Sequence, residues 1–210
     1  MGLFDFFKKN KQATEKSTTN DVLPKYDKVK IEELKRQINK AKEEQGDWKT
    51  PFVELMKAVY AQPVLFFALS KEKFDKETAT SSPLISTKDF DGKPSIYIFT
   101  DIETAGIWMK HYGFITEDMK YGLIGAIEKK PTDFLSVFTL AKHFGAQMIM
   151  LDEGGSYVGI LMDHFLEANG IDPTKISMYF SEEEGEKIIS NNESPKIILP
   201  KLNAIPLIAK

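Results

Sequence analysis

Three stretches of this chain are apolar at nearly every position and of strand length: Val64–Leu69 (VLFFAL), Ile96–Phe99 (IYIF) and Met148–Leu151 (MIML). A strand with one wet face alternates apolar and polar residues, whereas an unbroken apolar run belongs to a strand buried on both faces. Around these runs, apolar residues recur at three- and four-residue steps. Phe52, Leu55, Met56 and Val59 form one such stripe, Ala105, Trp108, Met109 and Tyr112 a second, and Phe134, Val137, Phe138 and Ala141 a third. LISTKDFDGKPSIYIFT reads as a hairpin turning at Asp91-Gly92, and Leu123–Ile127 as a further short strand. A hairpin followed by strand–helix alternation predicts an α/β (α+β) fold, a mixed sheet of about five to seven strands flanked by helices.

The chain of 210 residues divides by pattern. Residues 1–25 read as a flexible segment, polar and lysine-rich from residue 8 onward. Residues 26–49 form a helical extension, with Ile31, Leu34, Ile38 and Ala41 in a narrow apolar stripe that ends near Gly46. Residues 50–180 are the main domain, opening on a helix capped by Thr50 with Pro51 at its first position. Residues 181–210 hold two β-like pieces, Lys196–Leu199 and Ala204–Ile208, that pack on the same domain. The start, MGLFDFFKKNK, is not a signal peptide, because its charges follow the apolar residues. Leu3, Phe4, Phe6 and Phe7 with Lys8, Lys9 and Lys11 behind them suit weak contact with an anionic membrane surface, or a helix start docked on its own domain.

Composition removes several function classes. The net charge is only -3, and Arg36 is the single arginine. Nucleic-acid recognition needs a concentrated basic footprint, and bidentate phosphate binding needs arginine. With no cysteine, thiol catalysis, disulfides and cysteine-bearing zinc sites are excluded. A cytoplasmic location fits. His111, His143 and His164 lie on separate predicted helices near their carboxyl ends, and none has the spacing of a zinc helix. Asp163 and His164 are neighbours on a helix, so they point about 100° apart and cannot form a triad pair. The run Glu182, Glu183, Glu184 and Glu186 lacks a calcium-loop signature. No catalytic residue, metal or cofactor is expected.

FTDIETAGIWMKHYG, Phe99–Gly113, gathers a hydroxyl, carboxylates, a tryptophan and a histidine. It reads as a strand–helix junction: Thr100 and Glu103 form a capping box, Asp101 and Glu103 sit at the positive end of the helix dipole, Trp108 faces the core, and Gly113 stops the helix. LDEGGS, Leu151–Ser156, is a glycine-rich turn after a strand, with Ser156 as an N-cap and Tyr157, Ile160, Leu161 and Phe165 on the helix that follows. Asp152 and Glu153 would repel phosphate, so a ligand of this turn would be a cation or an amine.

The segments PVLFFALS and DGKPSIYIFTDIETAGIWMKHYG together resemble the amino-terminal domain of SseB proteins. That pattern is a hydrophobic strand, a strand ending in Phe-Thr, here Phe99-Thr100, and a helix with an aromatic near its end. AKHFGAQMIMLDEGGSYVGI is similar to the later segment of that family, where an apolar strand leads into a turn that is often Asn-Pro-Gly-Gly. Gly154 and Gly155 match, and Asp152 and Glu153 replace Asn-Pro. The resemblance covers residues 50–170. It implies a non-enzymatic cytoplasmic module that binds a protein partner or a small ligand, and it carries over no catalytic residue. Two other readings stand beside it: an enzyme of unrecognised type with a negatively charged cleft near Thr100 and Asp152, and a weakly membrane-associated adaptor. Thr100 and Gly154 both follow strand ends, where ligands collect in open α/β sheets. The candidate ligand site is therefore Thr100, Asp101, Asp152, Glu153, Gly154 and Gly155, a negative mouth suited to an amine, a metal ion or a lysine-bearing partner.

Overall fold

The structure, a computed structural model, describes residues 28–86, 92–128, 133–174 and 201–207. The expectations for residues 1–27, the Asp91 position of the hairpin turn, Pro131, the Phe134 side chain, Ile176–Phe180, the acidic run at 182–186, Lys196–Leu199 and Ile208 lie outside the described residues.

The chain runs α1 (Lys28–Glu43), α2 (Lys49–Tyr60), β1 (Val64–Ala68), β2 (Thr80–Ser81), β3 (Ile85–Ser86), β4 (Ser95–Phe99), α3 (Ile102–His111), β5 (Tyr121–Gly122), β6 (Ile124–Glu128), α4 (Asp133–His143), β7 (Met148–Leu151), β8 (Val158–Leu161), α5 (Met162–Ala168), β9 (Leu202–Asn203) and β10 (Ile205–Pro206). Six strands form one mixed sheet of order β6-β1-β4-β7-β8, with β3 also on β4, and helices flank it. One edge of β4 is shared: Phe99 and Ile98 pair with β1, Ile96 and Ser95 with β3. Its other edge pairs with β7 in parallel, Ile98 opposite Leu151, while the remaining ladders are antiparallel.

The unbroken apolar runs are explained by two cores. On one face Leu65, Phe67, Ile96, Ile98, Ile149 and Leu151 pack under α1, α2, α4 and α5. On the other, Ala68, Tyr97, Phe99 and Met150 pack under α3. Successive residues of one strand thus feed opposite cores, as the period of two requires. The helix at 28–43 is part of the body, because Ile31, Leu34 and Ile38 are buried in the larger core. Ala41, expected on the same stripe, is only half-buried. Two short ladders anchor the last described segment: β9 pairs with β2, and β10 with β5.

Several local expectations are corrected. The cap before α2 comes from Asp47, whose carboxylate accepts from the amides of Lys49 and Thr50 and from the Thr50 hydroxyl, so Thr50 sits inside the helix. Thr100 does not cap α3. Asp101 does, accepting from Thr104 N at 2.9 Å and from the Thr104 hydroxyl, so the cap lies one residue later and the expected capping box of Thr100 with Glu103 does not form. The segment after LDEGGS is not a helix at once: Val158–Leu161 is β8, antiparallel to β7, and α5 begins at Met162. Alternating burial of Val158 and Ile160 at period two prevails over the helical spacing of Tyr157, Ile160 and Leu161. With the helix starting later, Ser156 caps nothing and instead donates to Glu32, and His164 lies in the first half of α5 rather than near its end.

Candidate functional site

Because β4 and β7 are parallel, their carboxyl ends emerge together, and the residues after them meet. The Asp152 amide donates to Ile98 O at 2.8 Å. In return the Thr100 amide donates to Asp152 Oδ1 at 2.7 Å and the Thr100 hydroxyl to Asp152 Oδ2 at 2.8 Å. This is why Thr100 cannot cap α3: its hydroxyl is already spent across the parallel pair. Asp152 holds a left-handed backbone, φ 54°, which an aspartate tolerates better than most residues.

The third partner comes from α1. Lys35 Nζ donates to Asp152 Oδ2 at 2.7 Å and to Glu32 Oε1 at 2.8 Å. Lys35 is 1% exposed and Asp152 2%. A buried charge persists only when paired and hydrogen-bonded, and here each ion meets its opposite. A second lysine of α1 serves the neighbouring junction: Lys28 lies 3.2 Å from Asp101. Burial raises the Asp101 carboxyl, but the Thr104 amide and hydroxyl and the Lys28 ammonium outweigh it and hold the group below the ordinary aspartate range. Glu32 is likewise lowered: hydrogen bonds from Lys35 and Ser156 outweigh its partial burial.

Glu153 turns the other way, toward α3. Its Oε2 accepts from Trp108 Nε1 at 2.7 Å and its Oε1 from the Tyr112 hydroxyl at 2.9 Å. The indole is buried in an aromatic cluster, 4.5 Å from the Phe114 ring centre, 5.2 Å from Tyr97 and 5.5 Å from Phe99. A buried indole N–H needs an acceptor, and Glu153 supplies it. Gly154 makes the turn close enough for this. Its φ is 110°, and a β-carbon there would lie 3.2 Å from both Trp108 N and Cβ. Gly155, the other glycine of the bend, has no such φ, and Asp152 takes the second left-handed position instead. Beside Glu153 opens a pocket of about 550 Å³ walled by Ile107, His111, Tyr112, Met150 and Tyr157, with Gly154 at its rim. That volume suits a small ligand.

The six residues expected to share one mouth are therefore adjacent but divided. Asp101 and Asp152 are held by Lys28 and Lys35 of α1, Thr100 is bonded to Asp152, and Gly155 lies against Thr104. Glu153, with Gly154, faces the pocket under α3. Sequence reasoning missed both lysines and the pocket aromatics Tyr112 and Tyr157. The signal for Lys35 was present: Ile31, Leu34, Lys35 and Ile38 stand at i, i+3, i+4 and i+7, which puts a cation on a core stripe. No group of three metal-ligating side chains occurs among the described residues, and among them no helix is long and apolar enough to cross a membrane. No family model, curated protein or solved structure matches the chain.

Proposed function

We propose that the chain is a non-enzymatic binding module of the SseB type, working in the cytoplasm, and that it holds a small ligand or a partner's side chain in the pocket beside Glu153. The observation that carries this reading is the division of the carboxylates. Asp152, buried and locked by Thr100 and Lys35, offers no open group for proton transfer or nucleophilic attack. Glu153 stands at an open pocket, held by neutral donors, as a recognition group would be. Support for the SseB type comes from element order: a strand ending at Phe99, a helix carrying Trp108, then a strand leading to Gly154-Gly155. A chain with no cysteine asks nothing of an oxidising compartment.

The test is an NMR fragment screen on the ¹⁵N-labelled full chain. A binding module predicts that fragments gather at Ile107, His111, Tyr112, Glu153 and Tyr157 and leave chemically unchanged. Fragments scattered over the surface, or a fragment converted during the screen, would contradict the reading.

A further inference from the structure

We infer that the pocket beside Glu153 takes an organic monocation, an ammonium group on a short apolar stem. This rests on the binding-module reading and names the ligand chemistry of that site.

At this end of the sheet Asp152 pairs with Lys35, Asp101 with Lys28, and Glu32 with Lys35. Glu153 has no cation partner among the described residues; its two hydrogen bonds come from an indole and a phenol, both neutral. A carboxylate has about four acceptor positions, so each oxygen keeps one more. Trp108 and Tyr112 also fix the carboxylate in place, so a ligand does not have to order it.

The walls suit the same ligand. Tyr112 and Tyr157 are 46% and 55% exposed and line the pocket with Ile107, itself 47% exposed. Met150 is buried and contributes apolar, polarizable surface. Aromatic faces attract cations through the ring quadrupole, and pairing them with a carboxylate is how proteins recognise ammonium groups. Aliphatic Ile107 and Met150 suit the methylene stem. The same turn supplies an internal precedent, because Lys35 already seats its ammonium on Asp152, one residue before Glu153. The external cation has two sources, a free amine or a lysine side chain of a partner, and they share this chemistry.

The test is ¹⁵N NMR titration of the full chain with n-butylammonium, n-butyltrimethylammonium, n-butanol and butyrate, and with a lysine residue capped at both ends. The expected result is saturable shifts at Tyr112, Glu153 and Tyr157 with both ammonium probes, weaker ones with butanol and none with butyrate. A capped lysine that outbinds butylammonium identifies a protein-borne source, and the reverse a free amine. Glu153→Gln should weaken ammonium binding at least about tenfold, as expected for a lost hydrogen bond to a charged group, and leave butanol unaffected. Tyr157→Ala, at an exposed position that spares the core, should weaken the trimethylammonium probe several-fold. Butanol or butyrate binding these residues as tightly as the ammonium probes would overturn the cation assignment and leave the module reading standing. Silence of these residues toward both ammonium probes would overturn the assignment too, while the fragment screen judges the module separately.

Discussion

Asp101 does two things at once: it caps α3 through Thr104 and pairs with Lys28 from α1. Asp101→Ala removes both and should destabilise the chain by roughly 0.5–2 kcal/mol, the range for a lost cap. Asp101→Asn keeps a side-chain oxygen for the cap and removes the charge. Because the folded carboxyl lies below its unfolded value, its ionic contribution is complete above the unfolded aspartate pKa of about 3.9 and is lost as the pH falls through the folded value. Melting curves should therefore show a gap between wild type and Asp101→Asn that is full near neutrality and closes in acid. A gap that widens in acid would contradict the assignment. The choice of Asp101 over Thr100 as the cap was not legible in the sequence. Both residue types cap helices well, and the deciding fact is a contact to Asp152, 52 positions away. The burial of Trp108, by contrast, was legible from its spacing to Ala105 and Met109 alone.

At the scale of elements, α1 couples to the sheet by more than its apolar stripe. Lys35→Met leaves Asp152 buried without a cation and should cost about 3–5 kcal/mol, as when one partner of a buried pair is removed. The double variant Lys35→Met with Asp152→Asn removes both charges and keeps an acceptor for the Thr100 amide, so it should recover a large part of that loss. Urea unfolding of the wild type, both single variants and the double variant reads the coupling. If Lys35→Met alone is neutral, the pair does not join α1 to the parallel strands. The stripe of α1 could be read from Ile31, Leu34 and Ile38, and the spacing of Lys35 places it on that stripe, but its partner Asp152 lies 117 positions away and no local pattern points to it. The helix expected over Tyr157–Phe165 failed for a different reason. Four residues between a turn and a helix fit period two and period 3.6 equally well, and only the ladder to β7 decides.

Across the whole molecule, both ends of the described chain close on the sheet. Leu202 packs on the larger core and Ala204 on a smaller cluster with Leu69 and Leu123, while β9 and β10 pair with β2 and β5. Deleting Lys201–Lys210 should lower the melting temperature by more than about 5 °C, since each buried aliphatic side chain is worth about 1.5–3 kcal/mol and each kcal/mol about 2–4 °C in a chain this size. An unchanged melting temperature would show that these strands add nothing to the core. The mixed sheet was legible from a hairpin followed by strand–helix alternation, whereas its division into two cores appears only in the packing. The parallel placing of β4 and β7 puts Asp152 and Glu153 at one sheet end, and their opposite directions give them different fates. ¹³C NMR of the side-chain carboxylates tests that division. On addition of n-butylammonium, the Glu153 carboxylate carbon should shift and the Asp152 carbon should stay fixed. A shift at Asp152 with none at Glu153 would mean that the buried pair opens to ligand and that the pocket under α3 is not the site.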